Sequence, residues 1–269
     1  MADKKKFEKQ FEKADKLDNV DPAIAKMIVD SGTSEDKISV SKASIDPKSL
    51  KPSQTTMVLS KAIQMAIGML KSGKVGGDLG ALISADNHIL DGHHRWAATI
   101  LAGGSKVGGY KASAKGPELL RVLNIVSKGK FGVRNGNPGK GNISDFSPKK
   151  AKTLIEEYVA KGIQGSFPVP ADTVKKVLED KWGSVEKGIK EMSDNVKKVS
   201  KSVPSWAPDR KQMPVIDPQQ VPAAAKALNN AEVDWKAPYK QGSLRAAVTK
   251  LASDHPSLRK HLVPLLKSR

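Results

Sequence analysis

The stretch ALISADNHILDGHHRW, Ala81 to Trp96, decides the reading of this chain. Two short apolar runs flank Asp86-Asn87, and Asx residues tolerate the left-handed backbone that hairpins require, so the stretch predicts a β-hairpin. It continues as HRWAATILAGG, a short helix stopped at Gly103-Gly104, and then as SKVGGYKAS, a further strand. The second hairpin strand thus feeds a helix through Asp91-Gly92. At such a junction the first helical amides lack internal partners and the helix dipole adds partial positive charge, which together favour an anion. Gly92 permits close approach of a phosphate, and His93, His94 and Arg95 place three donors around one point, Arg95 with a fork that can grip two oxygens. Asp91 has three open roles: binding magnesium with its waters, orienting an imidazole, or accepting a proton from an attacking hydroxyl. The plainer alternative is that Asp91 caps the helix, a histidine packs inward, and Arg95 and Trp96 brace the turn.

Outward from this turn, ISVSKASIDPKSL (from Ile38) offers β-branched residues and then a turn at Asp46-Pro47. SKAIQMAIGMLKSG carries apolar residues in helical rhythm up to Gly73, and GPELLRVLNIV is a helix opened by Pro117 and Glu118. Residues 37–130 therefore read as a small α/β (α+β) mixed-sheet domain. Before it, residues 1–36 read as a helical arm with Phe7, Phe11 and Ala14, then Ile24, Met27 and Ile28, at helical spacing. After it come a basic glycine-rich linker (131–146) and a helical region (147–203) opened by Ser147 and Pro148. A proline-rich extended segment (204–242) and an amphipathic helical hairpin (243–269) split at Pro256 complete the chain.

Only 38% of residues are hydrophobic and 4% aromatic, so some segments are expected to carry no core of their own. Forty-six Lys and Arg against 28 Asp and Glu give a formal net charge of +18, whose field favours polyanions, nucleic acid foremost. Lys130, Arg134, Lys140, Lys149 and Lys150, in and beside the glycine-rich stretch, are the residues expected to meet a nucleic-acid backbone. With no cysteine in the chain, disulfides, thiolate metal sites and cysteine nucleophiles are excluded. No run reaches the ~18 apolar residues of a membrane span, and the start lacks an apolar signal core, so a cytoplasmic protein with no membrane partner is expected.

The string from Ala81 to Lys111 resembles the core of the ParB/sulfiredoxin-like superfamily: a hairpin, a glycine-containing turn ending in arginine, a helix, a glycine pair and a strand. Leu50-Lys51-Pro52-Ser53-Gln54, followed by a helix, is similar to the segment with which such domains open. The resemblance covers about residues 37–128. It implies a nucleotide-binding fold used for NTP hydrolysis, phosphotransfer, nuclease action or DNA clamping. It also implies phosphate contacts from Gly92, His94 and Arg95, with Gln54 and Lys61 approaching the same cleft. Asp91 and His93 would be the acid, base or metal-associated groups, and ATP or another NTP with Mg2+ the cofactors. The sulfiredoxin reaction itself is ruled out, because it needs a cysteine in this turn. The Asn-containing motif and helix-turn-helix of segregation-type ParB proteins are missing where LLRVLNIVSKGKFG stands. SLRAAVTKLASDHPSLRKHLVPLLK is similar to tail segments of bacteriophage and other mobile-element proteins, which points to a phage-encoded chain in host cytoplasm or virion.

Two functions follow as expectations. The first is an NTP-dependent phosphotransferase, NTPase or nuclease acting on or near DNA, in which catalysis is chiefly positioning and charge stabilisation. The alternative is a non-enzymatic, basic nucleic-acid-binding or virion-associated structural protein, docked to a larger assembly through the arm and the leucine hairpin.

Overall fold

A computed structural model describes residues 9–134, 141–165 and 168–236. Lys140 and the expected hairpin at 243–269 lie outside the described residues, as does Phe7 of the arm. The architecture is α+β, helices with one mixed sheet. The chain divides into two units, each discontinuous in sequence: Ser41–Gly116 with Asn137–Lys211, and Met1–Val40 with Pro117–Gly136 and Gln212–Arg269.

The first unit is built on strands β1 (Val40–Ile45, from its second residue), β2 (Lys51–Pro52), β3 (Gly77–Ile83), β4 (His88–Asp91) and β5 (Val107–Ala112). Their spatial order is β1-β5-β3-β4-β2. β3 and β4 form the antiparallel hairpin, Asn87 taking φ +63° at its turn. β4 pairs parallel with β2, and β3 parallel with β5. Helix α1 (Pro22–Ile28) belongs to the other unit, whereas α2 (Leu59–Ser72) and α3 (His93–Leu101) pack on each other here. Ile63, Ile67, Ile83, Ile89, Trp96 and Leu101 are fully buried between them and the sheet.

Helices α5 (Pro148–Lys161), α6 (Ala171–Trp182) and α7 (Val185–Asn195) do not make a separate helical module. They pack on one another and against α2 and α3, and Ala151, Ile155, Leu178 and Met192 belong to the same core as Ile63 and Trp96. The glycine-rich stretch before them is also no simple linker, because Ile143 and Phe146 at its end are buried in that core. Ser147 caps α5 as its sequence predicts, its side chain accepting from the Lys150 amide.

In the second unit, α4 (Gly116–Gly129), whose first residue still belongs to the first unit, lies with α1 and α8 (Val221–Asn229). Asp21 caps α1 by accepting from the amides of Ala23 and Ile24 at 2.9 and 3.2 Å. Leu17, Ala25 and Ile28 of the presumed arm are buried, as are Ile38, Leu123, Val126, Ala224 and Leu228. Asn229 exchanges two hydrogen bonds of 2.8 Å with the Val40 backbone, and the Trp235 indole donates to the Asp36 carbonyl at 2.6 Å. The described residues of the arm from Ala14 onward thus contribute to a core. α8 stands within the stretch read as extended: Pro222 sits in its first turn, where no amide is lost, and Ala223-Ala224-Ala225-Lys226-Ala227-Leu228 supplies strong helix formers that the surrounding prolines obscured.

Candidate functional site: the amino end of helix α3

Gly92 is the N-cap of α3 and takes φ +96°, a conformation that a β-carbon resists, so the strand can turn into the helix within one residue. Trp96 is fully buried, and its indole donates to the Pro47 carbonyl at 2.7 Å. Trp96 therefore fixes the helix against the turn that follows β1. The Arg95 guanidinium donates to Asp91 Oδ2 at 2.7 Å, bridging the helix back to the end of β4 with both side chains partly exposed. Asp91 caps nothing by this contact; it holds Arg95 at the mouth of the turn.

Both histidines turn inward. His93 Nε2 accepts the Ser53 amide at 3.2 Å, and His94 Nε2 accepts the Val58 amide at 3.1 Å. Each ring nitrogen facing the loop is therefore unprotonated. Burial pushes the His93 imidazole down to about 3, with His94 and Arg210 adding to the effect. His94 is likewise pushed down to about 3, by burial first and then by the positive charges of Lys61, Arg210 and Arg95. Here the geometry corrects the sequence reading. His93 is not poised as an acid or base through Nε2, and His94 does not offer that nitrogen as a phosphate donor, because both are occupied as acceptors.

What the histidines do is pin the loop 53–58. Ser53 also donates its hydroxyl to the Ile89 carbonyl at 2.6 Å, and Gln54, buried, donates its amide to the Thr56 carbonyl at 2.8 Å. Gln54 thus shapes the loop from inside. Lys61, in the first turn of α2, is exposed at the same end. Partial desolvation, and then the charges of Arg210 and Arg95, hold its ammonium below the ordinary lysine value.

Arg210 is the residue that sequence reasoning missed. Its amide donates to Thr56 Oγ1 at 2.9 Å, and Thr56 in turn donates to Asp209 Oδ1 at 3.0 Å. Its charge bears on Lys61, His93 and His94 alike. Three cations, Lys61, Arg95 and Arg210, therefore gather around the amino end of α3, with Asp91 ion-paired to one of them. No local signal marks Arg210, which reaches the site through a contact spanning 154 positions.

Of the other described basic residues expected to meet nucleic acid, Lys130 and Arg134 belong to the second unit, and Lys149 and Lys150 to α5 of the first. Lys130 donates to Glu232 at 2.7 Å in the second unit, which helps hold that carboxyl below its usual range. Arg134 is exposed in the same unit, while Lys149 and Lys150 are exposed on α5 in the first, Lys150 bonding Asp145 at 2.5 Å. Among the described residues no group of three or more His, Asp and Glu is placed to hold a metal, and no helix is long and apolar enough to cross a membrane. Comparison with protein-family models, with curated proteins and with solved structures finds no match to this chain.

Proposed function

We propose that the chain is a ParB/sulfiredoxin-like nucleotide-phosphate-binding protein, holding the phosphates of ATP or another NTP at the amino end of α3. The observation that carries this reading is the gathering of Lys61, Arg95 and Arg210 around a glycine-capped helix start. Such a gathering of like charges is unfavourable on its own and is relieved by an anion with several oxygens. The α3 amides would meet one phosphate, while Arg95 and Lys61 neutralise its neighbours. Asp91 is the acidic group at the mouth. It offers magnesium one protein oxygen, which suits an ion that arrives with the nucleotide and keeps phosphate and water as its other ligands. If phosphoryl transfer or phosphodiester cleavage follows, Asp91 is the group to orient the attacking hydroxyl, since the histidine nitrogens that face the loop are committed to it.

Calorimetric titration with ATP and CTP, with and without magnesium, tests the reading on the wild type and on Arg95→Ala. Micromolar binding that weakens at least tenfold in the variant is the expected result, as for loss of a charge-assisted hydrogen bond. Nucleotide binding unchanged by the substitution would refute it. The net charge of +18 favours a second reading, in which the same turn holds a backbone phosphate of nucleic acid without catalysis. Strong salt-sensitive DNA binding with no nucleotide binding would select that reading.

A further inference from the structure

The strap at 203–210 sets the Arg210 amide against Thr56, in the loop that His93 and His94 hold, and its own anchoring is unusually specific for a proline-rich stretch. Ala207 closes a turn on the Pro204 carbonyl at 3.0 Å. The Trp206 ring meets His88 of β4 edge-on, the ring centres 5.1 Å apart. Gly116 lies directly beneath: a β-carbon there would stand 2.5 Å from the Trp206 ring, so the seat exists only because residue 116 is glycine. Further along, the Pro208 carbonyl accepts the Thr55 amide at 3.1 Å, Asp209 accepts the Thr56 hydroxyl, and the Arg210 amide donates to Thr56. Thr56 belongs to the loop whose two ends are held by His93 and His94. A continuous run of contacts therefore leads from the Trp206 seat to the amino end of α3.

We infer that Arg210 is a phosphate-contact residue of the α3 site and that Trp206, Thr56 and Asp209 are its positioning residues, so that docking of the strap and binding of a polyphosphate favour each other. The inference rests on the proposed phosphate site. It adds that the site is completed by a segment outside the hairpin-turn-helix unit. Reciprocity follows from linkage: if the docked strap strengthens anion binding, the anion must stabilise the docked strap by the same factor.

Inorganic tripolyphosphate is the probe, titrated calorimetrically into the full chain. Arg210→Gln keeps the backbone bond to Thr56 and removes the charge; about tenfold weaker binding is expected, as for a lost charge-assisted contact. Gly116→Ala unseats the Trp206 ring without touching any cation and is expected to weaken binding several-fold, while Arg210→Lys recovers part of the loss. Hydrogen exchange at 203–210 should slow when tripolyphosphate is added to the wild type and not when it is added to Arg210→Gln. If Arg95→Ala loses binding while Arg210→Gln binds like the wild type, the inference is wrong and the phosphate site stands. If the wild type binds no tripolyphosphate, both fall. Should Gly116→Ala melt well below the wild type, Trp206→Phe replaces it as the seat variant, and wild-type exchange rates at 203–210 unchanged by the probe would overturn the coupling.

Discussion

The two ends of α3 are treated in opposite ways. At the carboxyl end the Asn195 amide donates to the Leu101 carbonyl at 3.1 Å and is itself buried, so a side chain of the protein satisfies the helix terminus. A cleft of about 240 Å³ lies beside it, with Asp46, Lys48, Ser105 and Lys198 on its walls, charges of both signs. At the amino end the residue before the helix is a glycine that makes no side-chain cap, and the surrounding charges are Lys61, Arg95 and Arg210. One terminus is closed by the fold, and the other is left without a side-chain cap amid positive charge. Missing side-chain caps also occur at α2, α6 and α8, so what sets this terminus apart is the positive charge around it, which is what the proposed anion site requires.

The strongest way to break that comparison is to remove the scaffold both ends share. Trp96→Ala should cost about 3–5 kcal/mol in urea unfolding, from the cavity and the unpaired Pro47 carbonyl together. A loss below about 1 kcal/mol would mean that the turn is not braced there. The buried histidines sharpen it next. Their folded-state values lie below the unfolded value near 6.5, so their neutral forms stabilise the fold above that pH. Stability should then fall as pH drops from about 6.5 toward about 3, by up to about 1.4 kcal/mol per pH unit for each histidine. Between pH 6.5 and 5 few carboxylates titrate, so unfolding free energies measured in that window isolate the effect; a flat profile would show that the imidazoles are not buried neutral acceptors. His94→Gln, whose carbonyl can still accept the Val58 amide, should shallow the slope by about one proton. The smallest expected effect is at the carboxyl end: Asn195→Ala should cost about 1–2 kcal/mol by leaving the Leu101 carbonyl unpaired, with anion binding unchanged. Weaker anion binding in that variant would show that the two ends are not independent.

The hairpin and turn were legible in the sequence because their signals are local. Asp86-Asn87 sets the turn, Gly92 the junction and Gly103-Gly104 the stop, all within the span they organise. The roles of His93 and His94 were not legible, since they depend on amides 40 and 36 positions away. Two adjacent histidines beside an arginine look like donors until the loop at 53–58 is laid over them. Arg210 was hidden for the same reason at larger separation. α8 was hidden by composition, its alanines flanked by prolines that suggested an extended chain. The merging of α5–α7 with the sheet's core was masked by the glycine-rich stretch before them, which interrupts the apolar rhythm without interrupting the core.

The most direct measurement is the backbone amide shift map of the full chain titrated with tripolyphosphate. A phosphate held at the amino end of α3 predicts the largest saturable shifts at Gly92, His93, His94 and Arg95, lost in Arg95→Ala. Shifts spread instead over the lysine-rich faces of α5, α6 and α7, with those four amides unmoved, would contradict it.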